Sequence, residues 1–288
     1  MTTINAKIIL ASIASGVPLT TMEVVFPRFL LSEFNTHRVF SRNSASSRAI
    51  PFKKNLEAVL QDPFIPLRFQ RHHTGMQGAE YLEGEEHEGA VAAWLTARDS
   101  ACREALDLFE RGITKQICNR ILEPFMWHTV IVTATDFGNF FALRNHPDAE
   151  IHIQALAREM LNAYINAPRQ ELDYGGWHIP YSEQSEWAAT STVGHHNERA
   201  RFEKALHRSV VNCARVSYLK HQEMLSDEEV DERFNKLAAA GHMSPFEHQA
   251  RVSLQINNTG NLRAPWYQYR KMLTNECRTY AAGRNVIF

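Results

Sequence analysis

The sequence predicts an α+β protein. Two apolar, partly β-branched stretches, 6–14 and 20–26, stand side by side with Gly16 and Pro18 between them, which predicts two strands joined by a turn. Apolar residues then recur at helical spacing over 90–111 and 149–166, and a further helix is predicted over 197–215. Near the C-terminus, ARVSLQI (250–256) alternates as a strand does.

The composition allows a full core. The chain has 288 residues, 44% hydrophobic and 22% charged, enough for one large domain or two small ones. A disordered chain, a collagen-like fibre and a low-complexity linker are excluded. With 31 basic and 32 acidic residues, net charge −1, the chain lacks the basic excess of a general nucleic-acid binder. A local phosphate pocket stays open, because local charge can differ from net charge. Cys102, Cys118, Cys213 and Cys277 are scattered, with no CxxC pair, as expected in a reducing, cytoplasmic setting. The apolar start of the chain is too short to span a bilayer, so no membrane partner is expected. Fourteen histidines are many, yet there is no HExxH and no finger-like spacing, so no metal is expected.

The elements follow in order. Pro27 ends the second strand, FLLSEF (29–34) reads as a short helix, and 36–51 as a polar loop rich in serine and arginine. A short helix is expected at 55–61 and a loop at 66–81. Gly112 fits the end of the helix at 90–111, and Pro124 closes a short one that begins at Gln116. The apolar run 126–144 reads as helical despite its β-branched residues, and Pro147 separates it from the next helix. Residues 167–195 lose periodicity and read as a linker or surface excursion. Ser226 with Glu229 forms a capping box for a helix that Gly241 ends, with Val230, Phe234 and Leu237 on one face. After a loop at 242–248 and the strand 250–256, a helix is expected over 261–275.

The chemistry concentrates in THRVFSRNSASSR (36–48). Guanidinium forks and hydroxyls on one loop supply several convergent donors and suit a phosphate, although on composition alone a solvated loop with capping serines serves as well. The segment resembles the signature of the flavin-dependent thymidylate synthases (ThyX), which reads R-H-R, seven residues, then S. His37, Arg38 and Ser46 stand at the matching spacing and Arg48 follows as in the family. ARVSY (214–218) and GHMSPFEH (241–248) resemble the family's ARVS…GHxTPFEH. NRILEP (119–124) and TATDFGNFFALR (133–144) resemble its RIVLP…NFxxLR helices.

The order of the segments differs from the family's. Residues 20–166 resemble its second part and 205–280 its first, so the chain is similar to a circularly permuted member, a single domain over 1–288 with 167–195 in the junction. APWYQYRKMLTNECRTY (264–280) resembles a decayed second copy of the strand–helix–RHR element, with Arg270, Asn275 and Glu276 at matching places.

The resemblance implies a twisted antiparallel or mixed sheet flanked by helices. It implies C5-methylation of dUMP to dTMP, with FAD as cofactor and NADPH and methylenetetrahydrofolate as co-substrates. Ser46, Ser47 and Arg48, assisted by Arg120, would hold the nucleotide, with Glu33 where a glutamine often sits. Arg144 would be the catalytic residue, at the pyrimidine carbonyl edge, stabilising negative charge on the ring. His37, Arg38, Asn139, Ser217, His242, Ser244 and Glu247 would contact the flavin. A homotetramer with sites shared between subunits is implied as well.

Three departures from the family's pattern matter: Thr36 replaces its first arginine, Ser44 a glutamate, and Thr135 a flavin-contacting arginine. Arg270 or Lys271 would be positioned to restore lost charge. Two alternatives follow: a relative that acts on dCMP or adds a hydroxymethyl group, and a non-catalytic nucleotide- or flavin-binding relative.

Overall fold

Apolar and β-branched residues near the N-terminus build the centre of the molecule. The computed structural model describes residues 1–74, 78, 80–182, 196–217, 225–254, 259–274, 276, 278–281 and 284–287. Strands β1 (Asn5–Ala14) and β2 (Val17–Pro27) form a hairpin. Its two turn residues, Ser15 (φ 48°) and Gly16 (φ 76°), both take the left-handed backbone that matches the twist of a tight hairpin. A five-stranded mixed sheet grows on this hairpin in the order β3-β4-β2-β1-β5, where β3 is Ser41–Ser44, β4 Trp127–Ala134 and β5 Gln170–Glu171. All pairings are antiparallel except β1 with β5.

Helices cover this sheet. After β2 come a 3-10 turn (Arg28–Leu30) and the short α1 (Leu31–Phe34). Helices α5 (Gly138–Arg144) and α6 (Ile151–Asn166) close one core with Ile153, Leu156 and Met160 against Met22, Val24 and Val132. Phe34, Phe40 and Phe140 meet there with ring centroids 5.3–5.7 Å apart. A second core joins α2 (Phe52–Gln61), α3 (Gly84–Glu110) and α4 (Lys115–Leu122) through Phe52, Val59, Ala105 and Leu122. A third joins α7 (His196–Ala214) and α8 (Asp227–Ala240) to the 3-10 turn Ser244–Glu247. A small sheet of β6 (Trp177–His178), β7 (Ala250–Val252) and β8 (Trp266–Gln268), and a hairpin of β9 (Arg278–Ala281) and β10 (Arg284–Ile287), complete the elements.

Four expectations are corrected. Residues 127–134 are a strand, not part of a helix, and only 138–144 are helical. Val130, Ile131 and Val132 are each fully buried, so the strand is covered on both faces and its sequence shows no alternation. The 36–51 loop contains β3, which β4 pairs. The helix over 261–275 is instead β8 and a 3-10 turn (Tyr269–Met272), consistent with Pro265 at its start. Residues 167–182 are not a plain linker: they add β5 to the main sheet and β6 to the small one, while 183–195 lie outside the described residues.

The capping box forms as expected: Glu229 N donates to Ser226 Oγ at 3.2 Å and Ser226 N donates to Glu229 Oε2 at 2.9 Å. Gly241 ends α8 in the left-handed conformation (φ 73°). Among the described residues, no helix is long and apolar enough to cross a membrane.

The two segments that resemble different parts of the family meet at the main sheet. A buried polar chain crosses it. His178 Nδ1 lies 2.8 Å from Ser12 Oγ, and its Nε2 lies 2.9 Å from Thr21 Oγ1. Thr21 Oγ1 is 2.7 Å from Thr133 Oγ1, which is 2.8 Å from His248 Nδ1. Burial pushes both imidazoles down to a pKa of about 3, so both are neutral at ordinary pH.

Candidate active site

The polar loop is held from three sides. Arg28, the first residue of the 3-10 turn after β2, reaches under it: Nη1 donates to Ala45 O (3.3 Å) and Nη2 to Ser47 Oγ (3.3 Å). The same guanidinium pairs with Glu123 (Nε to Oε1, 3.1 Å) and donates to His128 Nδ1 at 3.0 Å. Burial, with the Arg28 charge beside it, lowers the His128 pKa to about 3, which keeps the ring a neutral acceptor. Ser47 Oγ donates to Glu123, and Asn119 Nδ2 donates to Ser47 O (2.8 Å) and Ile50 O (3.1 Å). The turn that carries Ser46 and Arg48 is thereby anchored to α4, next to exposed Arg120.

Asn43 joins the loop to the C-terminal third. Its Nδ2 donates to Cys213 O (2.8 Å) and its Oδ1 accepts from Ser244 Oγ (2.9 Å). Ser217 Oγ donates to Thr129 O (2.6 Å) and accepts from Ala45 N (2.8 Å). Arg42 folds back on the end of α1, with Nη1 on the carbonyls of Asn35 and His37, each at 3.1 Å. Burial lowers its pKa and the Glu247 charge opposes that. A polar recess of about 400 Å³ lies over these residues, lined by Arg42, Asn43, Ser44 and Ser244 with Leu31 and Val130.

Beside it stands the most concentrated ionic contact of the loop. Arg144, the last residue of α5, pairs through Nη1 with Glu33 of α1, and its Nε donates to His37 Nε2 at 3.1 Å. A guanidinium only donates, so His37 Nε2 is an acceptor and its proton sits on Nδ1. Burial, then Arg144, then Arg42, lowers the His37 pKa below the ordinary imidazole value, in keeping with a neutral ring. Phe140 packs edge-on to His37 with centroids 4.9 Å apart. Glu33, His37 and Arg144 are brought together from positions more than a hundred residues apart.

The remaining expected site residues divide into two groups. Arg38, Ser46, Arg48, Arg120, Asn139 and His242 are exposed. The side chains of Arg38, Arg48, Arg120, Asn139 and His242 make no hydrogen bond or ion pair among the described residues. Ser47, Ser217 and Glu247 are committed inside the chain, Glu247 to Arg270. Lys271 pairs with Glu276 at 3.0 Å, so neither cation of the second-copy segment turns to Thr36. Thr36 Oγ1 donates to Glu33 O (2.7 Å), and Thr135 Oγ1 accepts from Arg263 N (3.1 Å). Asn275 lies outside the described residues. Sequence reasoning missed Arg28 and Glu123. Only the proline before Arg28 marks it, and Glu123 lies inside the NRILEP segment, whose resemblance assigns it no role. Among the described residues no cluster of three or more His, Cys, Asp or Glu could hold a metal ion.

Three comparisons bear on this arrangement. No curated protein sequence matches the chain. Among solved structures, a UMP/dUMP methylase PolB from Streptomyces cacaoi bound with 5-Br UMP is similar at 18% identity and a TM-score of 0.46, covering 57% of this chain and 89% of that one. The same methylase bound with 5-Br dUMP gives 20% identity and a TM-score of 0.40, covering 51% of this chain and 65% of that one. The profile of one family, Thy1, the thymidylate synthase complementing proteins, matches residues 17–167, which include the loop, Arg120, Asn139 and Arg144. That match spans more than half of the sequence, and the chain belongs to the thymidylate synthase complementing protein family.

Proposed function

We propose that the protein is a flavin-dependent C5-methylase of a pyrimidine deoxynucleotide, converting dUMP to dTMP with methylenetetrahydrofolate and NADPH. The observation that carries this reading is the Glu33–Arg144–His37 contact. It fixes one guanidinium beside the polar loop and leaves its Nη2 without a protein partner among the described residues. A guanidinium held in this way stabilises negative charge that develops on a pyrimidine carbonyl as its C5 becomes nucleophilic. Glu33 and His37 are positioning residues: they set the orientation of Arg144 before substrate arrives. Ser46, Arg48 and Arg120 present a hydroxyl and two unpaired cations, a donor set for the nucleotide phosphate.

The donor set also fits a flavin in part. Arg38, Asn139 and His242 are exposed and unpartnered, and Ser244 and Arg42 line the recess, so these residues would hold it. When bound, the flavin would supply the hydride and mediate one-carbon transfer. Ser217 and Glu247 do not fit that role directly, because both are spent on internal contacts that position the loop. Those two residues, with Ser47, favour one second reading: a nucleotide-binding relative that has lost the chemistry.

The test is incubation of purified protein with FAD, NADPH, methylenetetrahydrofolate and either dUMP or dCMP, with products read by mass. Formation of dTMP, lowered about 100- to 1000-fold in Arg144→Ala, is expected. Retained flavin with no product from either nucleotide would establish the second reading instead. Full activity in Arg144→Ala would refute the role given to that residue.

A further inference from the structure

A larger cavity lies on the other side of the anchored turn, between α2 and the pair α7 and α8, with a volume of about 810 Å³. Apolar residues line it, Ile50 and Pro51 just before α2 and Val211, Ala214 and Leu237 of α7 and α8, together with Ser217, whose hydroxyl is already engaged by Ala45 N and Thr129 O. Four cations line it as well: Lys54, Arg215, Arg233 and Lys236. Lys236 is paired with Glu232 one helical turn away, and the single lining carboxylate, Glu57, accepts from Gln61 Nε2 at 3.1 Å. Lys54 and Arg233 are exposed and form no ion pair among the described residues. In a chain of net charge −1, this is a local excess of positive charge at an apolar hollow.

Asn55 gives the hollow a specific polar group. It sits on the buried face of α2, is 5% exposed and lines the cavity. Its side chain makes no hydrogen bond among the described residues. Buried amides nearly always have partners, and this one presents both a donor and an acceptor to an open space.

We propose that this cavity is a second nucleotide site, distinct from the Arg144 site. The heterocycle lies between the apolar walls, the Asn55 amide reads its polar edge, and Lys54 and Arg233 hold its phosphates. A flat ring against aliphatic walls with a few placed polar groups is the usual build of a small-ligand pocket, and 810 Å³ is ample for a nucleoside triphosphate. The chemistry favours a triphosphate over a monophosphate, because the cations come from two separate elements, α2 and α8. A site of this class on a nucleotide-making enzyme would let the level of a triphosphate be sensed next to the turn that carries Ser46 and Arg48.

Direct binding tests it, so the outcome does not depend on turnover. Fluorescence anisotropy of N-methylanthraniloyl-ATP is followed on the full chain, with competition by ATP, GTP, CTP, UTP, inorganic tripolyphosphate and FAD. Saturable binding is expected, displaced by at least one of the four nucleotides at a tenfold lower concentration than tripolyphosphate needs. The double variant Lys54→Glu/Arg233→Glu should weaken binding at least tenfold, and Arg48→Ala should leave it unchanged. Both changed residues in the double variant are exposed, so the fold is kept. Asn55→Leu should reduce the preference among the four nucleotides. Four results would overturn the proposal: no saturable binding, equal displacement by tripolyphosphate, displacement by FAD at least as strong as by any of the four nucleotides, or unchanged binding in the double variant.

Discussion

Arg28 shows how much of this site rests on a side chain outside any motif. It is only 10% exposed, and one guanidinium serves Glu123, Ser47, His128 and the Ala45 carbonyl. Removing it leaves Glu123 with only the Ser47 hydroxyl among the described residues and frees the turn that carries Arg48. Arg28→Met should therefore cost about 2 kcal/mol of stability by urea denaturation, less than breaking a fully buried pair because Glu123 is 32% exposed. On the proposed function, it should also raise the KM for nucleotide more than it lowers kcat, since it acts on the turn that carries Ser46 and Arg48 and not on Arg144. Equal stability in the variant would show that the guanidinium is not holding the loop. Asn43 was legible in the sequence as one of several polar loop residues. Its actual task, bridging Cys213 O and Ser244 Oγ, was not, because both partners lie more than 150 residues away. Motif spacing reports which residues belong to a site. It does not report which of them also make contacts within the chain, as Ser217 and Glu247 do.

At the scale of elements, legibility followed the physics of exposure. Half-exposed helices show their period, and α6, α7 and α8 lie within two residues of the expected bounds. The fully covered strand β4 shows no period, and its apolar run was read as helix. The α8 cap was readable because it is local. Ser226→Ala should cost about 1 kcal/mol, measurable as a lower urea midpoint. The histidine-bearing elements carry a larger effect that no local pattern reveals. His128 of β4, His178 of β6 and His248 before β7 each have a pKa lowered by burial to about 3, against an ordinary 6.5. All three are neutral in the fold and take up a proton once exposed. Stability is therefore whole above pH 6.5 and falls as the pH drops below it towards 3. Each contributes about 1.4 kcal/mol per pH unit in that window, so stability should fall by roughly 4 kcal/mol per unit between pH 6 and 5. Urea midpoints across this range would check it, and His128→Gln should make the slope about one-third shallower.

For the molecule as a whole, the sequence pointed to two segments in exchanged order, and the contacts between them are dense: Ser41 with Gln268, Ala45 with Ser217, Thr133 with His248. What one chain leaves open is equally informative. Arg38, Asn139 and His242 are exposed with no side-chain partner among the described residues, and apolar side chains next to the site residues are exposed too, Val39 at 51% and Leu143 at 55%. On the proposed function, with sites shared between subunits, these apolar side chains and polar groups are covered by another subunit. On the proposed function, a complete site then takes the flavin contacts of one subunit and the Arg144 contacts of its partner. Arg38→Ala and Arg144→Ala would each be inactive as homo-oligomers. Co-refolded at equal amounts, they should regain a fraction of wild-type turnover, because some mixed interfaces contain one intact site. With random mixing in a two-subunit site, about one-quarter of the wild-type rate is the expected ceiling. Sedimentation should show the same oligomer for both variants and the wild type. No recovery from oligomers shown by mass to be mixed would place both residues in the same subunit's site.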